Sequence, residues 1–229
     1  MSGISGSTTL VGIIGCPVKH SLSPRMHNAA FAALGLDWVY VALPTLPDQL
    51  EEAVRGLAAL GFAGANVTTP HKLAVTGFCK TDAPSVNTLV IRDDRVEGWT
   101  TDAAILDTLP SDAPIVLGDG GSAVAFMQAL PHGRQYWRRG VWPPDVAGAD
   151  LVVNATSERD EVLVQLGPDQ TLVDLPYPET ATAEAARSRG ATVVGGLEVL
   201  LAQGAASFEL WTGVAPPVDA MRRALGLSA

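Results

Sequence analysis

The sequence is poor in several of the features that mark special classes of protein. It has only two cysteines, Cys16 and Cys79, far apart and outside any CxxC pair, which argues against a disulfide framework and against a cysteine zinc site. Basic residues are also scarce: 15 Lys and Arg stand against 24 Asp and Glu, and the formal net charge of −9 argues against nucleic acid as a general partner. No run of about 20 apolar residues occurs, so no membrane span is predicted.

The N-terminal segment lacks the basic stretch and apolar core of a signal peptide, and two ordinary thiols fit a reducing compartment, so we expect a cytoplasmic protein. The composition is otherwise that of a folded protein, with 47% hydrophobic and 17% charged residues. A length of 229 residues allows one large domain or two small ones. No group of His, Cys and carboxylate residues has the spacing of metal ligands, so no metal is predicted.

Short apolar strands alternate with helices in the first hundred residues. Three strands are predicted, at residues 10–15, 38–43 and 62–67. The helices between them begin at Ser23, the predicted N-cap, followed by Pro24, and at residues 45–48. This β-α-β-α-β order indicates an α/β fold with a parallel sheet covered by helices. Residues 87–92 and 95–99 predict a hairpin.

A second series of strands and helices follows residues 110–114, a proline-containing stretch that is the best candidate for a linker. Strands are predicted at residues 115–118, 135–138, 151–154, 171–175 and 192–194, and helices at 181–189, 197–210 and 217–225. The first of these strands runs into a glycine-rich turn that opens a helix. The turn contains Gly118, Gly120, Gly121, Ser122 and Ala123.

The glycine-rich turn has the pattern G-x-G-x-x-A, in which backbone N–H groups and a helix N-terminus can meet a pyrophosphate. A tight strand-to-helix turn also needs glycines, and the Asp119 carboxylate would repel phosphates, so both interpretations stay open. Arg138 and Arg139 follow at the predicted end of the next strand, where arginine suits the 2′-phosphate of NADP and an acidic residue suits NAD. A solvated basic turn is the alternative.

The stretch A-N-V-T-T-P-H-K, residues 65–72, ends a strand with Asn, Thr and Lys side chains, a common way to build a polar pocket. Lys72 and Asp102 are the predicted catalytic pair, because a lysine and an aspartate in one cleft can share a proton during chemistry on a carbonyl or hydroxyl. The alternatives are a surface lysine and an N-cap role for Asp102, ahead of a helix over residues 103–109.

Two other polar residues are candidates for a ligand site. Ser21 precedes the first helix without serving as its predicted cap, so it is a candidate for binding a polar ligand. Gln203 lies in an otherwise apolar helix and needs a partner, either a ligand or neighbouring backbone, and the residues alone favour backbone. His27 and His71 are interpreted as surface or supporting residues rather than metal ligands.

Taken together, these residues resemble the shikimate dehydrogenase family. The matching motifs follow the family's order over nearly the whole chain: Gly15-x-Pro17-x-x-His20-Ser21-x-Ser23-Pro24-x-x-His27-Asn28, Asn66-Val67-Thr68-x-Pro70-x-Lys72, Val86-Asn87-Thr88, Thr101-Asp102, Asn154-Ala155-Thr156-Ser157, Asp174-x-x-Tyr177, and Gln203 with Phe208-x-x-Trp211-x-Gly213. The motifs on the substrate side are specific, and chance would not supply them all.

The resemblance implies the reversible NADPH-dependent reduction of 3-dehydroshikimate to shikimate, a step in aromatic amino acid and chorismate biosynthesis. It implies a substrate domain, residues 1–103 with 197–229, and an inserted Rossmann-like NADP domain, residues 104–196. Lys72 and Asp102 would be the acid/base pair. Substrate contacts would come from Ser21, Ser23, Thr68, Asn87, Tyr177 and Gln203. Cofactor contacts would come from Gly118, Gly120, Gly121, Ser122, Ala123, Arg138, Arg139, Asn154, Thr156 and Gly196.

The departures from the family's pattern lie on the cofactor side. Asp119 stands where the family usually has alanine, and Glu198 where a glycine normally lies. The span from Gly118 to Asn154 has room for one helix and one strand, so a trimmed cofactor domain is expected. Two alternatives follow: a non-redox shikimate-binding relative with a lost cofactor site, and a dehydrogenase for quinate or an aminoshikimate analogue. A monomer and a homodimer both fit the sequence.

Overall fold

The computed structural model describes residues 3–228. The chain divides into two compact units: the first comprises the chain up to Thr101 and from Leu201 onward, and the second is Asp102–Leu200. Each unit has its own sheet of five strands, so the predicted α/β fold is confirmed. The assignment of a substrate role and a cofactor role to these units stays a prediction. Among residues 3–228, none of the helices combines the length and apolar character that a membrane crossing requires.

The first sheet is mixed. Its strands are β1 (Thr9–Gly15), β2 (Trp38–Pro44), β3 (Phe62–Val67), β4 (Thr88–Arg92) and β5 (Arg95–Trp99). Their order is β2-β1-β3-β4-β5, with β1, β2 and β3 parallel and the last two pairings antiparallel. Parallel strands end at the same edge, so the loops after β1 and β3 meet, and the Cys16 N–H donates to the Thr69 carbonyl over 3.0 Å.

The predicted hairpin between β4 and β5 is confirmed. Asp93 and Asp94 form its two-residue turn, with φ angles of 49° and 60°. Both residues therefore adopt the left-handed conformation that a tight hairpin turn requires, and aspartate tolerates this conformation better than most side chains.

The α-helices of the described chain are α1 (Ser23–Leu34), α2 (Leu50–Ala59), α3 (Gly121–Ala129), α4 (Ala181–Ser188), α5 (Gly196–Thr212) and α6 (Val218–Leu225). In α2, apolar residues recur at three- and four-residue spacing, and Leu50, Val54 and Leu57 are buried against the first sheet. The prediction that Ser23 caps α1 is wrong. Ser23 is already the first helical residue, and the Ser21 Oγ accepts its N–H over 3.2 Å.

The second sheet is wholly parallel. Its strands are β6 (Pro114–Leu117), β7 (Arg134–Tyr136), β8 (Leu151–Asn154), β9 (Thr171–Asp174) and β10 (Thr192–Val194). The order β10-β9-β8-β6-β7 is a doubly wound one, with the switch point between β6 and β8, where ligands bind in such folds. Within this fully described unit no helix joins β7 to β8, so the shortening expected between Gly118 and Asn154 is present, and the connection from β8 to β9 also lacks a helix.

Two sequence predictions in the second unit are wrong. The helix predicted over residues 103–109 is a short 3₁₀ helix, Ala104–Thr108, whose N-cap is Ala103, so Asp102 is not an N-cap. The strand predicted over residues 135–138 ends at Tyr136, because the Gly140 N–H closes a turn on the Trp137 carbonyl at 3.0 Å. Arg138 and Arg139 therefore lie in a turn beyond the strand.

Candidate active site

A cluster of hydroxyl and amide side chains lies inside the first unit. We call it the polar cluster, and its members are Tyr40, Asn66, Asn87, Thr88, Thr101, Gln203 and Ser207. All except Gln203 are buried, and none of those six is more than 7% exposed. Buried polar side chains are tolerated only when they are hydrogen-bonded, and these side chains bond extensively to one another.

Asn66, near the end of β3, joins most of the polar cluster. Its Oδ1 accepts a hydrogen bond of 2.8 Å from the Tyr40 hydroxyl. Its Nδ2 lies 3.0 Å from the Ser207 Oγ, and 3.1 Å from both the Thr88 Oγ1 and the Asn87 carbonyl. The side chain therefore ties β2, β3, β4 and α5 together.

The side-chain amide of Asn87 has a fixed orientation. The Thr101 backbone N–H donates to the Asn87 Oδ1 over 2.7 Å, and a backbone N–H can only donate. The Asn87 Nδ2 then donates to the Thr101 Oγ1 at 2.9 Å and to the Gln203 Oε1 at 3.2 Å. The Gln203 Oε1 thus has a side-chain partner, contributed by the residue that directly precedes β4.

Ser207 is a member of the cluster that the sequence reasoning missed. Its Oγ donates to the Gln203 carbonyl over 2.9 Å and lies 2.8 Å from the Thr88 Oγ1 and 3.2 Å from the Thr101 Oγ1. Ser207 stands four residues after Gln203, so both project from the same face of α5. A second polar residue four positions after Gln203, in an otherwise apolar helix, was the feature of the sequence that could have identified Ser207.

The loop after β3 carries two predicted residues, Thr68 and Lys72. Its backbone is hydrogen-bonded to the stretch of chain that leads into β4 and includes Asn87. The Val67 N–H donates to the Asn87 carbonyl at 2.7 Å, and the Val86 N–H donates to the Lys72 carbonyl at 2.9 Å. Both backbone bonds hold the loop after β3 against the residues that precede β4. The backbone of Lys72, whose side chain is half-buried, is therefore bonded to the residue that directly precedes Asn87.

The remaining predicted substrate residues lie elsewhere. Ser21 is half-buried and Ser23 is buried, both at the start of α1 in the first unit. Asp102, which is 6% exposed, directly follows Thr101 of the polar cluster and is the first residue of the second unit. Tyr177 is half-buried in the second unit, after β9.

The glycine-rich turn of the second unit connects β6 to α3. Gly118 has a φ of 120°, and its N–H donates to the Tyr136 carbonyl at 2.8 Å. Nothing lies within 4 Å of the position that a Cβ would take on Gly120. The first turn of α3 contains no acidic residue, since Asp119 precedes the helix and is exposed. Open space beside a helix N-terminus fits a pyrophosphate, so the turn suits a dinucleotide.

Asn154 and Thr156 form a rigid corner at the end of β8. The Asn154 Nδ2 donates to the Asp174 Oδ1 at 2.7 Å, and the Asn154 Oδ1 accepts from the Thr156 hydroxyl at 2.7 Å. Burial raises the pKa of Asp174, although the bond from Asn154 opposes this effect. Glycine at position 196 allows the backbone of Pro176 to come close, because a Cβ on residue 196 would lie 2.4 Å from the Pro176 carbonyl oxygen.

Arg138 has partners that the sequence did not indicate. Its guanidinium forms an ion pair with Glu161 and lies 5.1 Å from the ring centroid of Trp142. Arg139 is exposed in the same turn. Among residues 3–228, no group of three or more His, Cys, Asp or Glu side chains is arranged to hold a metal ion.

His27 of α1 makes stability depend on pH. Burial lowers its pKa to about 3, and its ring stacks on Tyr40 with 4.6 Å between centroids. The unfolded imidazole takes up a proton below about pH 6.5, whereas the folded one does so only near pH 3. The contribution of His27 to the free energy of unfolding should therefore fall by up to about 1.4 kcal/mol per pH unit as the pH drops through that interval.

Urea unfolding of wild type and His27→Phe at pH 7, 6 and 5 checks this prediction. The phenyl ring keeps the stack but cannot be protonated, so the variant should lose less stability with each pH unit. His132→Gln, at an exposed position, serves as the control and should follow the wild type. Parallel curves for wild type and His27→Phe would contradict the prediction.

Comparison with known proteins finds two matching family models. Residues 13–89 match the shikimate dehydrogenase substrate binding domain, and residues 196–225 match the shikimate 5'-dehydrogenase C-terminal domain. A curated relative, the shikimate dehydrogenase (NADP(+)) of Anaeromyxobacter sp. (strain K), is 38% identical, with 97% of each chain covered. That alignment runs over 270 positions whereas this chain has 229 residues, so more than forty positions of the alignment are gaps here.

Two solved structures are similar over nearly their whole length. A shikimate dehydrogenase in complex with NADP+ has a TM-score of 0.89 and 31% identity, and covers 100% of this chain and 99% of its own. The shikimate 5-dehydrogenase of Listeria monocytogenes, in complex with shikimate and NAD, has a TM-score of 0.83 and 28% identity. It covers 98% of this chain and 99% of its own.

Proposed function

This chain belongs to the shikimate dehydrogenase family, and from that premise we propose that it catalyses the reversible reduction of 3-dehydroshikimate to shikimate with NADPH. The single observation that carries the proposal is the 38% identity to an NADP-linked shikimate dehydrogenase over 97% of both chains. The enzyme is then an oxidoreductase of aromatic amino acid and chorismate biosynthesis. A cytoplasmic location fits this role and stays part of the proposal.

The polar cluster supports a polyhydroxylated acid as substrate. Asn87 and Gln203 supply amide groups, and Ser21, Ser23, Thr68 and Tyr177 are the proposed further contacts. The bonds from Thr101 fix the orientation of Asn87 before any ligand arrives, so no rearrangement energy is lost on binding. A ligand lacking one hydroxyl leaves a buried polar group unpaired, at a cost of about 1–3 kcal/mol, which gives selectivity.

Lys72 and Asp102 are the proposed acid/base pair. In the reductive direction the Lys72 ammonium delivers a proton to the carbonyl oxygen, and the Asp102 carboxylate orients the lysine and the neighbouring hydroxyl. Asp102 suits this role because it is buried and follows directly on Thr101, whose backbone is fixed by Asn87.

The second unit is the proposed site of the dinucleotide, which supplies a hydride to the substrate carbon when bound. Gly118, Gly120, Gly121, Ser122 and Ala123 would meet the pyrophosphate through backbone N–H groups. Asn154, Thr156 and Gly196 would form the neighbouring wall of the dinucleotide site, and Arg138 and Arg139 would face the 2′-phosphate. The glycine-rich turn and the residues at the end of β8 fit the group, which disfavours the non-redox alternative, whereas the Arg138 guanidinium is already paired with Glu161.

Oxidation of shikimate with NADP, followed by NADPH absorbance, tests the proposed substrate. Quinate in place of shikimate tests the alternative of a quinate dehydrogenase, because a single contact to a hydroxyl group can distinguish the two acids. We expect kcat/KM to be at least tenfold higher for shikimate, the size of about one hydrogen bond. A higher value for quinate would contradict the assigned substrate while leaving the dehydrogenase chemistry intact.

A further inference from the structure

The ion pair between Arg138 and Glu161 affects the choice of dinucleotide. This inference rests on the proposed function, since it concerns which cofactor the second unit prefers. In a doubly wound sheet the tip of the second strand faces the adenosine ribose, where an arginine selects the 2′-phosphate of NADP and a carboxylate selects the free hydroxyls of NAD. In this unit the second strand is β7, and both kinds of side chain occur at its tip.

The position of β7 beside the glycine-rich turn is fixed by hydrogen bonds. The Gly118 N–H donates to the Tyr136 carbonyl at 2.8 Å, and the Gln135 Nε2 donates to the Gly118 carbonyl at 2.8 Å. Arg138 lies two residues after Tyr136, so its backbone leaves the sheet at the same edge as the glycine-rich turn.

Two connections of the sheet that contain no helix supply partners to Arg138. Trp142 comes from the connection between β7 and β8, and its ring centroid is 5.1 Å from the guanidinium carbon. Glu161 comes from the connection between β8 and β9 and forms the ion pair. A helix is absent from both connections of this described unit, so both residues lie in irregular chain.

The charges around Arg138 do not favour a phosphate. Glu161 neutralises the guanidinium, and the Arg138 charge also reaches Glu158, whose pKa is lowered chiefly by the backbone N–H groups of Asp160 and Arg159. A 2′-phosphate brings up to two negative charges, so it must displace Glu161 from Arg138 or bind close to two carboxylates. A ribose with a free 2′-hydroxyl carries no charge there, so it neither has to displace Glu161 nor is repelled by the two carboxylates.

We propose that Glu161 reduces the preference of this enzyme for NADP over NAD by holding the Arg138 guanidinium. The arginine still attracts the 2′-phosphate, but its attraction is shared with a carboxylate of the same chain. The enzyme therefore binds both dinucleotides, with a ratio of affinities that Glu161 sets.

Calorimetric titration of the full chain with NADP and NAD tests this proposal without relying on turnover. We expect Glu161→Gln to lower the Kd for NADP by about tenfold, the effect of removing one charge close to a phosphate, and to change the Kd for NAD less than twofold. The fragments 2′,5′-ADP and 5′-AMP should repeat this contrast, because they differ only in the 2′-phosphate.

Asp169→Asn is the matched control. Asp169 is exposed in the same unit, and because it precedes β9 it lies at the opposite, amino-terminal edge of the parallel sheet. The proposal is overturned if Glu161→Gln leaves the ratio of the two affinities unchanged, or if Asp169→Asn changes that ratio equally. Wild type that binds neither dinucleotide would overturn the proposed function itself, and this failure is visible before any variant is made.

Discussion

Replacing Lys72 with alanine should lower kcat for the oxidation of shikimate by about 10²–10⁴, the usual contribution of a positioned general acid or base. The reason is that the oxygen of the reacting carbonyl or hydroxyl then has no positioned proton partner. The backbone of Lys72 is held by the Val86 N–H, so truncating the side chain leaves the loop in place. Steady-state kinetics, with the Kd for shikimate measured by calorimetry, separates a loss of chemistry from a loss of binding.

Lys80→Ala is the matched control, since Lys80 is an exposed lysine of the same unit. It should retain the wild-type kcat. If Lys72→Ala turns over as fast as the wild type, Lys72 has no role in proton transfer. If kcat is unchanged and only the affinity for shikimate falls, Lys72 binds substrate without moving a proton.

Gly64→Ala should be among the most destabilising single substitutions in the first unit. A Cβ at Gly64 in β3 would lie 2.2 Å from the Leu89 carbonyl oxygen and 2.4 Å from the Trp211 Nε1. That indole N–H donates to the same carbonyl at 2.9 Å, so the methyl group would break a buried hydrogen bond as well as overfill the core. The combined loss in free energy of unfolding should be about 3–5 kcal/mol.

Gly56→Ala is the matched control for this substitution. Gly56 lies inside α2, and nothing is within 4 Å of its Cβ position. Alanine there should raise the free energy of unfolding by about 0.5–1 kcal/mol, because glycine loses more backbone freedom in a helix. Urea unfolding at pH 7 measures both variants. Equal effects of the two substitutions would contradict the described packing of Trp211 on β3.

Much of the fold follows from local sequence patterns. The alternation of apolar strands and helices predicted both sheets, and Asp93-Asp94 marked the hairpin because its turn chemistry is local. The two wrong helix caps, Ser23 and Asp102, each miss the observed N-cap by one residue, which is the usual uncertainty of a helix boundary. Leu22 and Ala103 occupy the N-cap positions that the pattern gave to their neighbours, and neither makes a side-chain capping bond.

The candidate site was less predictable than the fold. Lys72 and Asn87 stand in motifs whose order and spacing carry information by themselves. The bond between Asn87 and Gln203, in contrast, joins residues more than a hundred positions apart, and nothing local to either one specifies it. Arg138 and Glu161 are 23 positions apart, and nothing local to either one specifies their ion pair, which forms between two irregular connections of the second sheet.

The central claim is that this enzyme reduces 3-dehydroshikimate by transferring a hydride from NADPH. The most direct test follows that hydrogen from the cofactor to the product. 3-Dehydroshikimate is incubated with NADPH that carries deuterium at both C4 positions, and the product is examined by mass spectrometry. We predict shikimate that contains one deuterium, with one NADPH consumed for each molecule formed. Folded protein that binds shikimate but transfers no deuterium, with NADPH or with NADH labelled in the same way, would contradict the claim.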